Sequence, residues 1–268
     1  MTPEPTPEPA LVTIAFNLCG PGSPNPIYDY ALAMRQKRAR MGPFVIINEA
    51  KAVYGLNEID TSILTVYRVK GAGRAEPDPR DYEGRAWTGE EWVARWLPAL
   101  MPGVRTNGYL GFKNEVNRVK HLDWYIEFDR QMMNACTARG VHCTYLNSSV
   151  GSFKPEHVAK LRPLLVQGQA QGHLLSMNSY WDDSNTGLFW YFKPLVDAVS
   201  TVTWILGEVG WLANDAAYPG GVALRKLLAE HGKIRHAGYK GGALWCQNGA
   251  GGGWPHSHIG DDWRIVVE

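Results

Sequence analysis

From residue 11 onward, β-prone apolar runs alternate with stretches whose apolar positions recur every three to four residues. Leu11–Leu18 reads as a strand. Ile27–Met41 follows, with Ile27, Tyr30, Ala31 and Met34 on one helical face. Phe44–Asn48 is a short buried-type strand, Ala50–Ile59 a helical piece or loop, and Ser62–Val69 the third strand. Beyond the polar loop Lys70–Arg85, Thr88 is placed to cap a helix over Gly89–Leu100, with Glu90 and Glu91 in its first turn. The strand Gly108–Phe112 leads into Lys113-Asn114-Glu115. A long amphipathic helix, Leu122–Arg139, is stopped by Gly140. The rest reads as strand Val141–Leu146, helix Glu156–Gln169 opened by Pro155, strand His173–Asn178, and helix Leu188–Ser200 kinked or broken at Pro194. Strand Thr201–Leu206, helix Gly221–His231, strand Ala243–Cys246 and the closing segment Trp263–Val267 complete it.

Eight strands with helical or loop connections predict parallel pairing, and eight such units in about 250 residues is the arithmetic of a single (β/α)8 TIM barrel over residues 11–268. A doubly wound open sheet is the rival. Its glycine-rich phosphate turn is not matched after the first strand, where Pro21 interrupts Gly20 and Gly22 and no third glycine follows. Residues 1–10 (MTPEPTPEPA) repeat Thr-Pro-Glu-Pro and read as a stiff extended linker. The expectation is a barrel cut from a longer polypeptide and acting outside the cell, although no signal-peptide pattern opens the chain.

A net charge of +1 without runs of one sign argues against a nucleic-acid partner. No apolar stretch reaches the roughly 18 residues of a membrane span. Eleven Trp and twelve Tyr are numerous for one core, and such rings offer flat faces on which sugars stack. The four cysteines form no C-x-x-C pair. Cys136 and Cys143 are expected as buried thiols, with a bridge between them left open. His256 and His258, with Asp261 or Asp262, lack convincing ligand spacing, so neither metal nor cofactor is expected.

Barrel chemistry sits at the C-terminal ends of strands. The polar residues expected there include Asn17, Asn48, Glu49, Arg68, Asn114, Glu115, Asn147, Asn178, Tyr180, Glu208, Trp245, Gln247 and Asn248. Glu115 and Glu208 stand out as carboxylates closing strands four and seven, whereas Glu49 is expected to cap a helix. Glu208 lies between apolar runs, where an unpaired charge would be expensive.

On Asn114-Glu115 in GYLGFKNEVN, Glu208 in TWILGEVGW, Tyr180 in LLSMNSYW and Trp245 in GGALWCQN, the chain resembles the clan A glycoside hydrolases, across nearly the whole barrel. The resemblance implies retaining hydrolysis with Glu115 as acid/base and Glu208 as nucleophile. It implies that Asn114 binds the sugar 2-hydroxyl, Tyr180 orients Glu208, Arg68 keeps it ionised, and Trp245 floors the site. Asn178-Ser179-Tyr180 departs from the pattern of members that carry a His before this Tyr. Asn178, Trp181, Trp211 and Trp254 are further candidates for sugar contact. The expected activity is that of a monomeric endo-acting β-glycanase on mannan, glucan or xylan. The alternative is a catalytically silent carbohydrate-binding barrel, with a metal-dependent barrel hydrolase third.

Overall fold

In the computed structural model, residues 14–19, 25–37, 41–69, 78–113, 115, 121–149, 152–181, 190–211 and 221–244 are described. They form an α/β fold in which parallel strands alternate with helices. In chain order these are β1 (Ile14–Cys19), α1 (Asn25–Gln36), β2 (Phe44–Ile47), α2 (Ala50–Ile59), β3 (Thr65–Arg68), α3 (Gly89–Leu100) and β4 (Gly108–Gly111). They continue with α4 (Leu122–Ala138), β5 (Thr144–Ser148), α5 (Val158–Ala170), β6 (Leu174–Trp181), α6 (Lys193–Asp197), β7 (Trp204–Trp211), α7 (Gly221–His231) and β8 (Tyr239–Leu244). The strand order is β4-β3-β2-β1-β8-β7-β6-β5, so each strand pairs in parallel with its sequence neighbour and β1 pairs with β8. The two strands at the ends of that order also touch, through one parallel bridge, Leu110 to Cys143.

Strands covered on both faces read as continuous apolar runs, and β2 and β3 are buried at every position. The larger core cluster packs one side of the strands against the helices, with Trp92 and Trp204 among its largest fully buried members. A second, smaller cluster joins Val45, Val66, Leu174, Ile205 and Ala243, with Leu64 and Tyr109 against it. It draws on β2, β3, β4, β6, β7 and β8 at once.

Several elements end elsewhere than the apolar pattern suggests. Helix α1 stops at Gln36 rather than Met41, since the apolar spacing that ends at Met34 meets Arg38 next. Pro194 does not kink a long helix. It occupies the first turn of the short α6, where its missing N–H is no loss. Strands β6 and β7 run on to Trp181 and Trp211, three and five residues past the expected ends. Glu49 takes the N-cap position of α2 but makes no side-chain capping bond. Cys136 and Cys143 are buried free thiols. The linker 1–10, Cys246, Trp254 and the closing segment lie outside the described residues. Among those described, no helix is long and apolar enough to cross a membrane.

Helix α3 starts as its sequence dictates. Thr88 Oγ1 accepts from Glu91 N at 3.2 Å, and the Glu91 carboxylate accepts from Thr88 N at 2.9 Å, a reciprocal capping box. Next to it α3 crosses α4 so closely that a Cβ on Gly89 would lie 2.2 Å from Phe128 O and 2.4 Å from Met132 N. Thr88→Ala is expected to cost about 1 kcal/mol in chemical denaturation. Gly89→Ala is expected to cost more, up to about 3 kcal/mol, because backbone rather than a yielding side chain must move.

Candidate active site

Alternation along the strands sorts side chains between the two core clusters. In β3, Val66 belongs to the smaller cluster and Tyr67 to the larger, so Arg68 returns to the side of Val66. In β6, Leu174 sets the same parity for Ser176, Asn178 and Tyr180. In β7, Ile205 lies in the smaller cluster and Leu206 in the larger, and strict alternation would put Glu208 on the side of Leu206. The ladder slips instead, from Met177 opposite Leu206 to Asn178 opposite Glu208, with Gly207 as the extra residue. Such a bulge re-aims the side chain that follows it, and Glu208 meets Asn178, Tyr180 and Arg68. Two glycines clear the space: a Cβ on Gly111 would lie 2.3 Å from Arg68 Cγ, and one on Gly207 would lie 2.5 Å from Ser176 Oγ.

Glu208 is 3% exposed. Its Oε1 accepts from Arg68 Nη1 at 3.1 Å, and its Oε2 accepts from Asn178 Nδ2 and Tyr180 Oη, each at 2.8 Å. Glu115, just past β4, is exposed, and its Oε1 accepts from the same Asn178 Nδ2 at 2.5 Å. One amide nitrogen therefore spans both carboxylates, and the two bonded oxygens lie no more than about 5.3 Å apart, the sum of those two bonds.

Burial, with the negative charge of Glu115 acting in the same direction, raises the Glu208 carboxyl to about 7, against the opposing pull of Arg68 and the Tyr180 hydroxyl. Of the two carboxylates, Glu208 holds three donors and Glu115 one.

The strand ends on the other flank carry groups that no sequence motif singles out. Lys113 and Asp129 form a buried ion pair at 3.3 Å, with side chains 1% and 0% exposed. Leu146 lies between them, its N donating to Asp129 Oδ2 at 3.0 Å and its O accepting from Lys113 Nζ at 2.8 Å. Asn147 Nδ2 in turn donates to Lys113 O at 3.0 Å. Leu146 and Asn147 have φ of 68° and 42°, a left-handed backbone that costs non-glycine residues about 1–3 kcal/mol each. Burial pushes both Lys113 and Asp129 toward their neutral forms, and each is opposed by the other's charge and hydrogen bond. One sequence signal existed. Asp129 falls on the buried stripe of α4 with Tyr125, Phe128, Met132 and Met133, where a carboxylate demands a partner.

Asn178 also walls a small cavity of about 10 Å³, bordered by Ser148, Ser149, Phe153 and the half-exposed ring of Tyr191. Asn147, by contrast, spends its amide on the β4 backbone. Asn114, Trp245, Gln247 and Asn248 lie outside the described residues, as do His256, His258, Asp261 and Asp262. Trp181 and Trp211 are paired through their backbones at the ends of β6 and β7, and their side chains are outside the description. No group of three or more His, Cys, Asp or Glu among the described residues is arranged to hold a metal ion.

Chemically, the cluster offers an immobilised carboxylate and a second, exposed one within reach of the same small group. No protein-family model matches the chain, and neither does any curated protein.

The raised carboxyl makes a pH prediction. Between 4.5, the ordinary Glu value, and about 7 the folded chain binds a proton at Glu208 that the unfolded chain has lost. This group's contribution to stability therefore falls as pH rises through that window. His173 and His231, held neutral by burial with values lowered to about 4 and about 3, give the opposite slope below 6.5. A comparison of wild type with Glu208→Gln cancels the histidines. Urea denaturation is expected to show the variant gaining on wild type, by up to about 3 kcal/mol, between pH 4.5 and 7.5.

Proposed function

We propose that the protein is a retaining, endo-acting β-glycoside hydrolase on a closed (β/α)8 barrel, with Glu208 as nucleophile and Glu115 as acid/base. The observation that carries this reading is the Asn178 amide shared by both carboxylates. An upper limit of about 5.3 Å between their bonded oxygens admits the roughly 5–5.5 Å of retaining enzymes and lies below the roughly 6.5–9.5 Å of inverting pairs.

The barrel part of the reading is supported by the Leu110–Cys143 bridge between the ends of the strand order. It is supported too by the smaller core cluster, whose members on β3 and β6 would be far apart in an open sheet. The Arg68–Glu208 pair likewise reaches from β3 to β7. In a barrel of this kind, Arg68, Asn178, Tyr180 and Glu208, toward the C-terminal ends of β3, β6 and β7, share one face.

In the first step a Glu208 oxygen attacks the anomeric carbon, the bond to the leaving oxygen breaks, and Glu115 gives that oxygen its proton. In the second, Glu115 takes a proton from water, the water oxygen bonds the anomeric carbon, and the ester to Glu208 breaks. Two inversions restore the starting configuration. Arg68 and Tyr180 hold Glu208 charged and aimed, while exposure of Glu115 lets the leaving group depart and water enter. The exposed Tyr191 ring near Asn178 offers a face for a neighbouring sugar of a polymer, since aromatic faces stack on sugar C–H surfaces. No cofactor takes part in this scheme. A protein that only bound glycans would have no use for a buried carboxylate facing a second one.

A panel of β-linked mannan, glucan and xylan tests the proposal. Glu208→Ala and Glu115→Ala are each expected to lower reducing-end release by at least about 100-fold. A 2-deoxy-2-fluoroglycoside is expected to label Glu208 in wild type, as read by peptide mass spectrometry. Labelling at Glu115 would reverse the two roles, and a panel with neither release nor label would sink the hydrolase reading.

A further inference from the structure

We infer that the buried Lys113–Asp129 pair is a positioning device for Glu115, acting through the backbone where β4 meets β5. The inference rests on the hydrolase reading of Glu115 and names the residues that aim its acid/base group. Among the described residues, strand pairing between β4 and β5 consists of the one bridge Leu110–Cys143, with Leu110 N donating to His142 O at 2.9 Å. Beyond it the backbones no longer pair, and side chains take over. Lys113 holds Leu146 O, Asp129 holds Leu146 N, and Asn147 holds Lys113 O. Both peptide groups of Leu146 are thereby tied to opposite members of one ion pair, and its left-handed backbone is kept in place.

Glu115 follows Lys113 by two residues. It is exposed, and among the described residues its carboxylate has one hydrogen bond, to Asn178. Its aim therefore depends on the anchored backbone before it. The partners of Lys113 lie on α4 and β5 and not on the carboxylate pair, so its ammonium takes no part in the chemistry itself.

A buried ion pair serving only stability can be exchanged for apolar side chains of similar volume with little loss. One that aims an acid/base group cannot be exchanged without a specific catalytic signature. The test compares wild type with Lys113→Met/Asp129→Leu on phenyl and 2,4-dinitrophenyl β-glycosides of glucose, mannose and xylose. Labelling of Glu208 by the corresponding 2-fluoro dinitrophenyl glycosides is followed in parallel. A phenolate leaving group needs the proton from Glu115, whereas dinitrophenolate departs without it. The folded double variant is expected to lose on the order of 100-fold in kcat/KM on phenyl glycosides. It is expected to keep kcat/KM on dinitrophenyl glycosides, and the Glu208 labelling rate, within about 3-fold. Azide is expected to restore its turnover and yield a β-glycosyl azide, since the azide anion bonds the anomeric carbon and releases the Glu208 carboxylate with no proton to remove.

Asp129→Asn, which keeps the shape of the side chain, is the second variant and must give the same split if the double variant does not fold. Equal losses on both leaving groups, or no loss on either, with Glu208 still labelled, would overturn the positioning role alone. Wild type that neither turns over these glycosides nor labels would overturn the hydrolase reading and this inference with it.

Discussion

The whole site depends on keeping one carboxylate out of water. Glu208 is almost fully enclosed, and an enclosed charge without partners is too expensive for a fold of ordinary stability. The partners come from far away in the chain: Arg68 is 140 residues before it, and Asn178 and Tyr180 come from the neighbouring strand. Satisfying Glu208 therefore ties β3, β6 and β7 into one arrangement, and Asn178 extends that tie to Glu115. The groups that make burial tolerable are the same groups that would stabilise a reacting centre.

The burden is not evenly shared around the strands. On the β6–β7 side, long pairing with one bulge carries the polar residues directly. On the β4–β5 side one bridge is followed by a buried ion pair and two strained residues. Buried ion pairs contribute little net stability but fix geometry well. Placing one at the weakly paired flank puts rigidity where the backbone ladder supplies least.

Much of this was legible in the sequence. Strand–helix alternation locates the main elements, Thr88 and Glu91 mark the start of α3, and the two glutamates expected at strand ends meet at Asn178. What escaped has a physical cause. The strand expected over Thr201–Leu206 continues to Trp211, with Gly207 and Gly210 inside it. The Lys113–Asp129 contact escaped because it depends on a helix face meeting a strand end, which no local pattern encodes. Asn178 is expected as a sugar-contact candidate. That it touches both glutamates depends on register between β6 and β7, which spacing along the chain does not reveal.

The bulge at Gly207 makes the site sensitive to a kind of change that residue identity does not capture. Were Gly207 instead taken into the ladder opposite Asn178, the residues Arg68, Glu115, Asn178, Tyr180 and Glu208 would all still be present. Strict alternation would then turn Glu208 toward the helices, into the apolar layer that holds Leu206. Register within this strand thus matters to the carboxylate as much as the residues that surround it. The site is written in parity as much as in composition.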